Sequence, residues 1–380
     1  MPFLPIIIFL LILSFLVFIH ELGHFLSARK FGVDVEEFGL GIPPRAIGRK
    51  WGKTLYSLNW LPLGGFVKIK GEDYEGYNPK DKGNFINKKP WQRAFILTAG
   101  IMMNLAFAFV LFYILLGTNH WQSNPLLLIS DYQFKHGETI NLPNVVTFIE
   151  DNSPAKKAGL EFADRIESIT YGDSSIQPKN VDDIKAFMAD KDGKQVTLQI
   201  KNINTFQTKT LTVTPEYSEA IKAPAMGVGL GEAVLLSYAN GSDRYLAGFM
   251  HAGNVLGYSF DAMKGLVRQS VDEGNVSAVS QGVSGPVGIF GAVRAIIETG
   301  GSRTVYIILD LMAVLSLSLA IMNLLPIPAL DGGRLAFVLY EWITGRKPSA
   351  KFEARTHQIG YLVLLGLIIV ITFKDIFQFF

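Results

Sequence analysis

The sequence predicts a mainly α-helical membrane protein with four spanning helices, a membrane-associated β-hairpin on the inner side and one small β-rich domain on the outer side. Three observations carry this. Of the 380 residues, 49% are hydrophobic and the mean hydropathy is +0.27, which points to membrane segments. Apolar runs at 3–28, 94–117 and 305–325 reach the roughly 20 residues a helix needs to cross a bilayer. A shorter run, 359–373, reaches that length when 376–380 extends it. Between the second and third runs the composition turns to Asp, Lys, Thr and Asn, as in a soluble domain.

The chain divides accordingly. Residues 1–28 form the first span, 29–92 an inner loop, 93–118 the second span, 119–222 the outer domain and 223–304 an interfacial helical region. Residues 305–326 form the third span, 327–355 a turn and inner segment, and 356–380 the fourth span. The opening MPFLPIII has no positive n-region, and its apolar stretch exceeds the usual h-region, so the first run reads as a span and not a cleaved leader. No Lys or Arg precedes His20, whereas Arg29, Lys30, Arg45, Arg49, Lys50, Lys53, Lys88, Lys89 and Arg93 lie between the first two spans. Arg334, Arg346, Lys347, Lys351 and Arg355 lie between the last two. Basic residues mark cytoplasmic loops. Both connections are therefore expected inside, and both termini and the 118–304 segment outside.

In the outer domain NVVTFIE, DRIESI, KQVTLQIKN and KTLTVTP read as short strands with partial alternation. NVDDIKAFMAD reads as a helix with Asn180 as N-cap. A peptide-binding domain and a plain spacer both fit these features. Beyond it, the run from Tyr245 to Val267 is an apolar helix carrying Arg244, His251, Asp261 and Lys264, read as lying in the interface, with a re-entrant or buried helix as the alternative. VSGPVGIFGAV reads as a packed turn before a helix and lacks the Gly-Lys-Ser/Thr ending of a phosphate loop. In the inner loop, LYSLNWL and GFVKIK flank Pro62 and Gly64-Gly65, which predicts a hairpin. Its apolar character suits a hairpin dipping into the membrane, its backbone bonded to itself and to protein, or an amphipathic hairpin on the cytoplasmic surface.

Several chemistries are excluded. A net charge of +2 lacks the basic excess of a nucleic-acid binder. With no cysteine, disulfides, thiolate metal sites and cysteine nucleophiles are impossible, so a metal would rest on His, Asp or Glu. The histidines are His20, His24, His120, His136, His251 and His357.

Inside the first span stands HELGH, residues 20–24. Ionisable groups within a span are costly and mark function. His20 and His24 share one helical face a turn apart, and Glu21 completes the His-Glu-x-x-His zinc-protease pattern: two imidazole ligands and a general base beside the activated water. Two polar side chains bonded to neighbouring helices would leave Glu21 unexplained. A zinc enzyme needs a third protein ligand and an open position. Asp310 and Asp331 are the donors near apolar runs. His20 lies nine residues from Arg29, roughly 13 Å of helix, and Asp331, in NLLPIPALDGGRL on the inner side, suits that depth.

HELGH, LPLGGFVKIKGE, AGIMMN at 99–104, SGPVGI at 284–289 and NLLPIPALDGG at 323–333 together resemble the site-2 protease family, in its bacterial regulator-of-sigma-E protease type. The resemblance runs over most of the chain. It implies one zinc ion held by His20, His24 and Asp331, with Glu21 as catalytic base. It also implies substrate contacts from Asn323 and from the strand Gly65, Phe66, Val67, Lys68, Ile69 and Lys70, which adds substrate as a further strand, and a PDZ domain at 119–222. The implied partners are membrane lipid and single-span membrane proteins, such as anti-sigma factors already trimmed outside or remnant signal peptides, in a bacterial inner membrane. The strand that begins Gly-Asp in such PDZ domains begins Ala163-Asp164 here, and alanine lacks glycine's access to positive φ. The rival readings are an ion-coupled transporter, which leaves Glu21 idle and wants an inverted repeat, and a non-catalytic PDZ scaffold.

Overall fold

The computed structural model of the chain describes residues 3–72, 80–129, 132–219 and 221–379. Its first element is α1 (Leu4–Lys30), apolar on every side, with a proline at its start and Arg29 and Lys30 in its last turn, where cations complement the helix dipole. Ile12, Leu16, His20, His24 and Ala28 are all buried. They recur every four residues and so form one inward row, while Ile7, Leu11, Phe15 and Leu26 stay exposed on the other sides. The two histidines therefore sit on the packed face.

Strands β1 (Val35–Trp51) and β2 (Thr54–Ile69) follow. Their register runs antiparallel from Trp51↔Thr54 to Arg45↔Asn59, and again from Val35↔Ile69 to Leu40↔Gly65. Residues 37–40 also face 55–58 with both numbers rising together, as parallel neighbours do. The sheet thus places 35–40 between 55–58 and 65–69. This corrects the expected hairpin of 55–61 on 65–70. Pro62 and the glycines do turn the chain, but 35–40 slots between the two arms because Val35 and Ile69 bury together against Phe25 and Ala28 of α1. Among the described residues, no strand pairs with the outer edge of 65–69. Ser14 Oγ donates to the Pro62 carbonyl at 2.8 Å, and Gly64 lies against Val17, so the strand runs along α1 past the level of His20.

The second long helix is α2 (Pro90–Thr118). The chain then enters a seven-stranded sheet: β3 (Leu126–Leu127), β4 (Glu138–Ile149), β5 (Asp164–Tyr171), β6 (Ser174–Ile176), β7 (Val196–Asn202), β8 (Thr208–Val213) and, after the small pair β9 (Glu216–Ser218) and β10 (Ala223–Ala225), β11 (Val228–Ser237). The order is β3-β11-β4-β5-β7-β8, with β6 on β5. Two short helices pack with it. In α3 (Pro154–Ala158), Ser153 caps the start and Gly159 ends it at φ 84°. In α4 (Val181–Met188), the Asn180 side chain accepts from the Asp183 N–H at 2.9 Å, and Ile184 and Met188 join the sheet's core. That core also takes Ile166, Ile169, Leu198 and Ile200.

The sheet does not stop at residue 222 as expected. β11 pairs with β4 from Val228↔Ile149 to Ser237↔Glu138. Its later half reads AVLLS, with Ala233, Val234 and Leu236 all buried, so it lacks the alternation that announces a one-sided strand. Ala163 takes the left-handed conformation, φ 67°, that a glycine adopts without cost. Its N–H donates to Val146 O and its carbonyl accepts from Ile203 N, both at 2.9 Å, which hold the turn.

The remaining elements are α5 (Asp243–Asp272), α6 (Ser277–Gly282), α7 (Pro286–Thr299), α8 (Thr304–Leu324), α9 (Asp331–Thr344) and α10 (Ala350–Phe379). α5 runs unbroken through Gly248, Gly253 and Gly257. The segment after α8, expected as a turn and inner stretch, contains the 14-residue helix α9, which begins at Asp331 itself. Among the described residues four helices are long and apolar enough to cross a membrane: those starting at Leu4, Pro90, Gly301 and Ala350. The chain forms two units, 1–112 with 275–297 and 308–380, and 113–274 with 298–307. In the first, Phe9, Ile12, Leu16 and Val293 make a core with Phe107, Leu311 and Leu315, which ties α1, α2, α7 and α8 together.

Candidate metal centre and active site

The inward row of α1 delivers His20 and His24 to one spot, and the start of α9 delivers Asp331 to the same spot. His20 Nε2 lies 2.8 Å and His24 Nε2 3.2 Å from Asp331 Oδ2, and the two nitrogens are 3.1 Å apart. Asp331 occupies the first turn of α9, where the helix dipole favours a carboxylate. Residues 325–330 wrap tightly to bring it in. A Cβ on Gly332 would stand 2.2 Å from the Leu325 carbonyl oxygen, which explains why the residue after the aspartate has no side chain.

The second helix completes the wall. A Cβ on Gly100 would lie 2.4 Å from His24 Nε2 and 2.9 Å from His20 Nε2, so only glycine lets α2 approach this face. Gly23 does the same for the crossing, its Cβ position being 2.4 Å from the Ala99 carbonyl oxygen. His24 Nδ1 sits 2.9 Å from the Ile96 carbonyl oxygen, an acceptor that places the ring proton on Nδ1 and leaves Nε2 its lone pair. His20 Nδ1 lies 3.4 Å from the fully buried amide of Asn104.

Two imidazole nitrogens and a carboxylate oxygen, mutually within 4.8 Å, suit zinc in both donor type and number. Donors bonded tetrahedrally at about 2.0–2.1 Å stand about 3.3 Å apart, and the three edges here are 2.8, 3.1 and 3.2 Å. The Gly100 cradle adds that any larger side chain would fill the space around the donor nitrogens.

Cavities open on two sides of these donors. One of about 590 Å³ is lined by Glu21, His24, Phe66, Val67, Lys68 and Ile69, among others, and by Asp331. The other, about 260 Å³, is lined by Val17, His20, Glu21, Asn104, Leu319 and Asn323, together with Ala329, Leu330 and Asp331. Glu21 faces both. Glu21, the three donors and Asn323 are thus gathered about one centre, and 66–69 borders it. Gly65 and Lys70 do not line the cavities, and Lys70 Nζ instead lies 2.7 Å from Asp81 Oδ2. The carbonyl of Lys70 accepts from Phe85 N, which ends the free edge before it.

Sequence reasoning passed over Gly100, Asn104, Arg334 and Ala329 as site residues. A glycine and an asparagine four apart within an otherwise apolar span were the available signal for the first two. Nothing in the sequence marks Ala329, whose φ of 78° and N–H donation to His357 Nδ1 at 2.9 Å depend on the fold.

A family model described as Peptidase family M50 matches residues 8–367. A protein of Clostridium acetobutylicum named "Putative zinc metalloprotease" is 34% identical over 99% of this chain and 98% of its own length. Proteins with the same description are similar in Clostridium perfringens, at 33% over 98% of each chain, and in Campylobacter jejuni, at 32% over 96% of this chain and 91% of the relative. With a matching family model over nearly its whole length and the donor set gathered at one point, the chain belongs to peptidase family M50, the site-2 protease family.

Proposed function

We propose that the protein is a membrane zinc protease that hydrolyses peptide bonds in or near the spanning segments of single-span membrane proteins. One observation carries this reading: Glu21 lines the same cavities as three converging donors from two helices, one of them an apolar span. His20, His24 and Asp331 would hold the ion. Bound zinc supplies a Lewis acid for the carbonyl oxygen and a water acidic enough to act near neutral pH. Glu21 takes the water's proton and returns it to the leaving nitrogen. Asn323, on the smaller cavity, is placed to orient the substrate backbone.

A helical substrate hides its carbonyls in hydrogen bonds, so it must unwind before attack. The unpaired outer edge of 65–69 borders the larger cavity and offers it a strand partner. Glu36, Lys68, Glu72 and Arg334 line that cavity and support water entry. The exposed Trp60, Leu58, Ile47 and Ile42 support a sheet seated in lipid beside α1, with 29–92 and 327–355 cytoplasmic and 118–304 outside. The exposed Tyr245, Phe249, Phe260, Val267 and Val271 of α5 suit an interfacial helix.

The sheet unit reads as a PDZ domain. Ile184 and Met188 of α4 and 226–229 before and within β11 line a groove of about 630 Å³, suited to an extended peptide end. In that role it selects substrates already trimmed outside, such as anti-sigma factors or signal-peptide remnants, in a bacterial inner membrane. The deciding experiment is Glu21→Gln, assayed for zinc content and for cleavage of a single-span substrate. The proposal requires zinc retained and turnover lost; full cleavage by this variant would end it.

A further inference from the structure

We infer that Asn104 is a positioning residue for the metal centre: its side-chain amide fixes the ring proton of His20 on Nδ1 and so keeps Nε2 as a metal-binding lone pair. This inference rests on the zinc-protease reading above and extends it to α2, a helix that contributes no donor of its own.

An imidazole that binds a metal through Nε2 carries its proton on Nδ1, and that N–H needs an acceptor. His24 has one in the Ile96 carbonyl, 2.9 Å away. Among the described residues, His20 has no backbone carbonyl in that role. The group at its Nδ1 is the Asn104 amide, placed with Nδ2 3.4 Å away. Asn104 is 0% exposed, and its Oδ1 is buried with no hydrogen-bond partner. An amide presents an acceptor and donors in nearly the same place, and a half-turn of the side chain exchanges them. With oxygen toward His20, Nδ1–H donates to Oδ1, the orphaned oxygen gains its partner and Nε2 is free to bind metal. With nitrogen toward His20, Nδ1 accepts and the proton moves to Nε2, where it points at Asp331 Oδ2, 2.8 Å away. The loaded ring therefore calls for the oxygen-inward orientation, in which Oδ1 holds the Nδ1 proton and gains the partner it otherwise lacks.

Asn104 is itself held in place. Ser316 Oγ of α8 donates to its backbone carbonyl at 2.9 Å, and both residues are fully buried. Asparagine is costly in an apolar helix unless its amide is used, and among the described residues the amide's one hydrogen-bond partner is His20. Leucine at this position would fill the space and offer no acceptor.

The test is zinc affinity of the full-length protein in detergent, measured by competition with a chromophoric chelator, alongside the melting temperature of the metal-free form. Asn104→Leu should bind zinc about 10–100-fold more weakly, the range seen when a ligand's hydrogen-bond partner is removed, with the metal-free melting temperature little changed. Asn104→Asp, which keeps an acceptor at Nδ1, should bind at least as tightly as the parent. Affinity in Asn104→Leu within threefold of the parent would overturn the inference, as would an equal loss in both variants, which is the mark of a packing role. If Asn104→Leu fails to assemble, Asn104→Asp decides alone: a tenfold loss refutes the acceptor role. Glu21→Gln separates this from the reading it rests on, because inactivity with unchanged zinc binding there leaves the Asn104 result independent of turnover.

Discussion

At the scale of single residues, the site depends on what is missing as much as on what is present. Gly100 has no side chain, and a methyl group there would overlap His24 Nε2 at 2.4 Å, well inside contact distance. Gly100→Ala should therefore push the donors apart and weaken zinc binding at least about tenfold. Gly366→Ala, whose Cβ meets nothing within 4 Å in α10, is the matched control and should bind zinc normally. Equal affinity in the two variants would refute the cradle. Ala329 shows the complementary case. It holds a left-handed conformation two residues before Asp331, a strain of about 1–2 kcal/mol in an alanine. Ala329→Gly should leave the melting temperature unchanged or higher, because the strain is relieved, and lower turnover several-fold, because the loop that aims Asp331 loosens. Parent turnover in that variant would show the strained turn to be incidental.

At the scale of elements, the donors come from α1 and α9, and one buried ion pair fixes α9 against α2. Arg93 Nη2 lies 2.6 Å from Glu341 Oε2, with side-chain exposures of 6% and 11%. Removing one partner strands a buried charge, which typically costs about 3–5 kcal/mol. Glu341→Ala should thus lower the melting temperature sharply and reduce zinc occupancy, although the substitution lies ten residues from Asp331 in sequence. A double variant, Glu341→Leu with Arg93→Leu, should recover most of the stability, since neither charge is left alone; no recovery would count against the pair. The strand edge gives a second element-scale test. Val67→Pro removes a backbone donor from the 65–69 edge, and cleavage should fall while zinc content holds. Undiminished cleavage would argue against strand addition.

The same elements show how far the sequence could be read. HELGH was legible because a helix puts i and i+4 on one face and because polar groups in an apolar run stand out. Asp331 was legible from depth, since the basic end of α1 sets the level at which a ligand is wanted. The pairing of 35–40 between 55–58 and 65–69 was not, because turn residues report only local bends, and the choice of strand partner is decided by burial of Val35 and Ile69 against α1. β11 was missed for a related reason: burial on both faces erases alternation, and its glycines resemble a loop. Gly100 and Ala329 carry no chemistry of their own, so only the approach of another helix, or a backbone angle, reveals them.

At the scale of the whole molecule, the division into two units separates the cavities around the donors from the groove between α4 and β11. His20, His24, Asp331, Glu21 and the 65–69 edge belong to the first unit, and the groove between α4 and β11 to the second. If the sheet unit acts as a filter, removing it should relax selection without abolishing hydrolysis. The boundary matters physically. Cutting at residue 222 would leave β11 without β4, exposing ten residues of strand, including the buried Val234 and Leu236. Such an orphan strand is an aggregation hazard. Excision of 123–238 behind a short flexible linker removes the strands as a set, and this variant should cleave untrimmed single-span substrate that the parent leaves intact, with trimmed substrate processed as before. Retained refusal of untrimmed substrate, with trimmed substrate still cleaved, would show that selection lies in the membrane-spanning unit, at the cavity or along the strand edge.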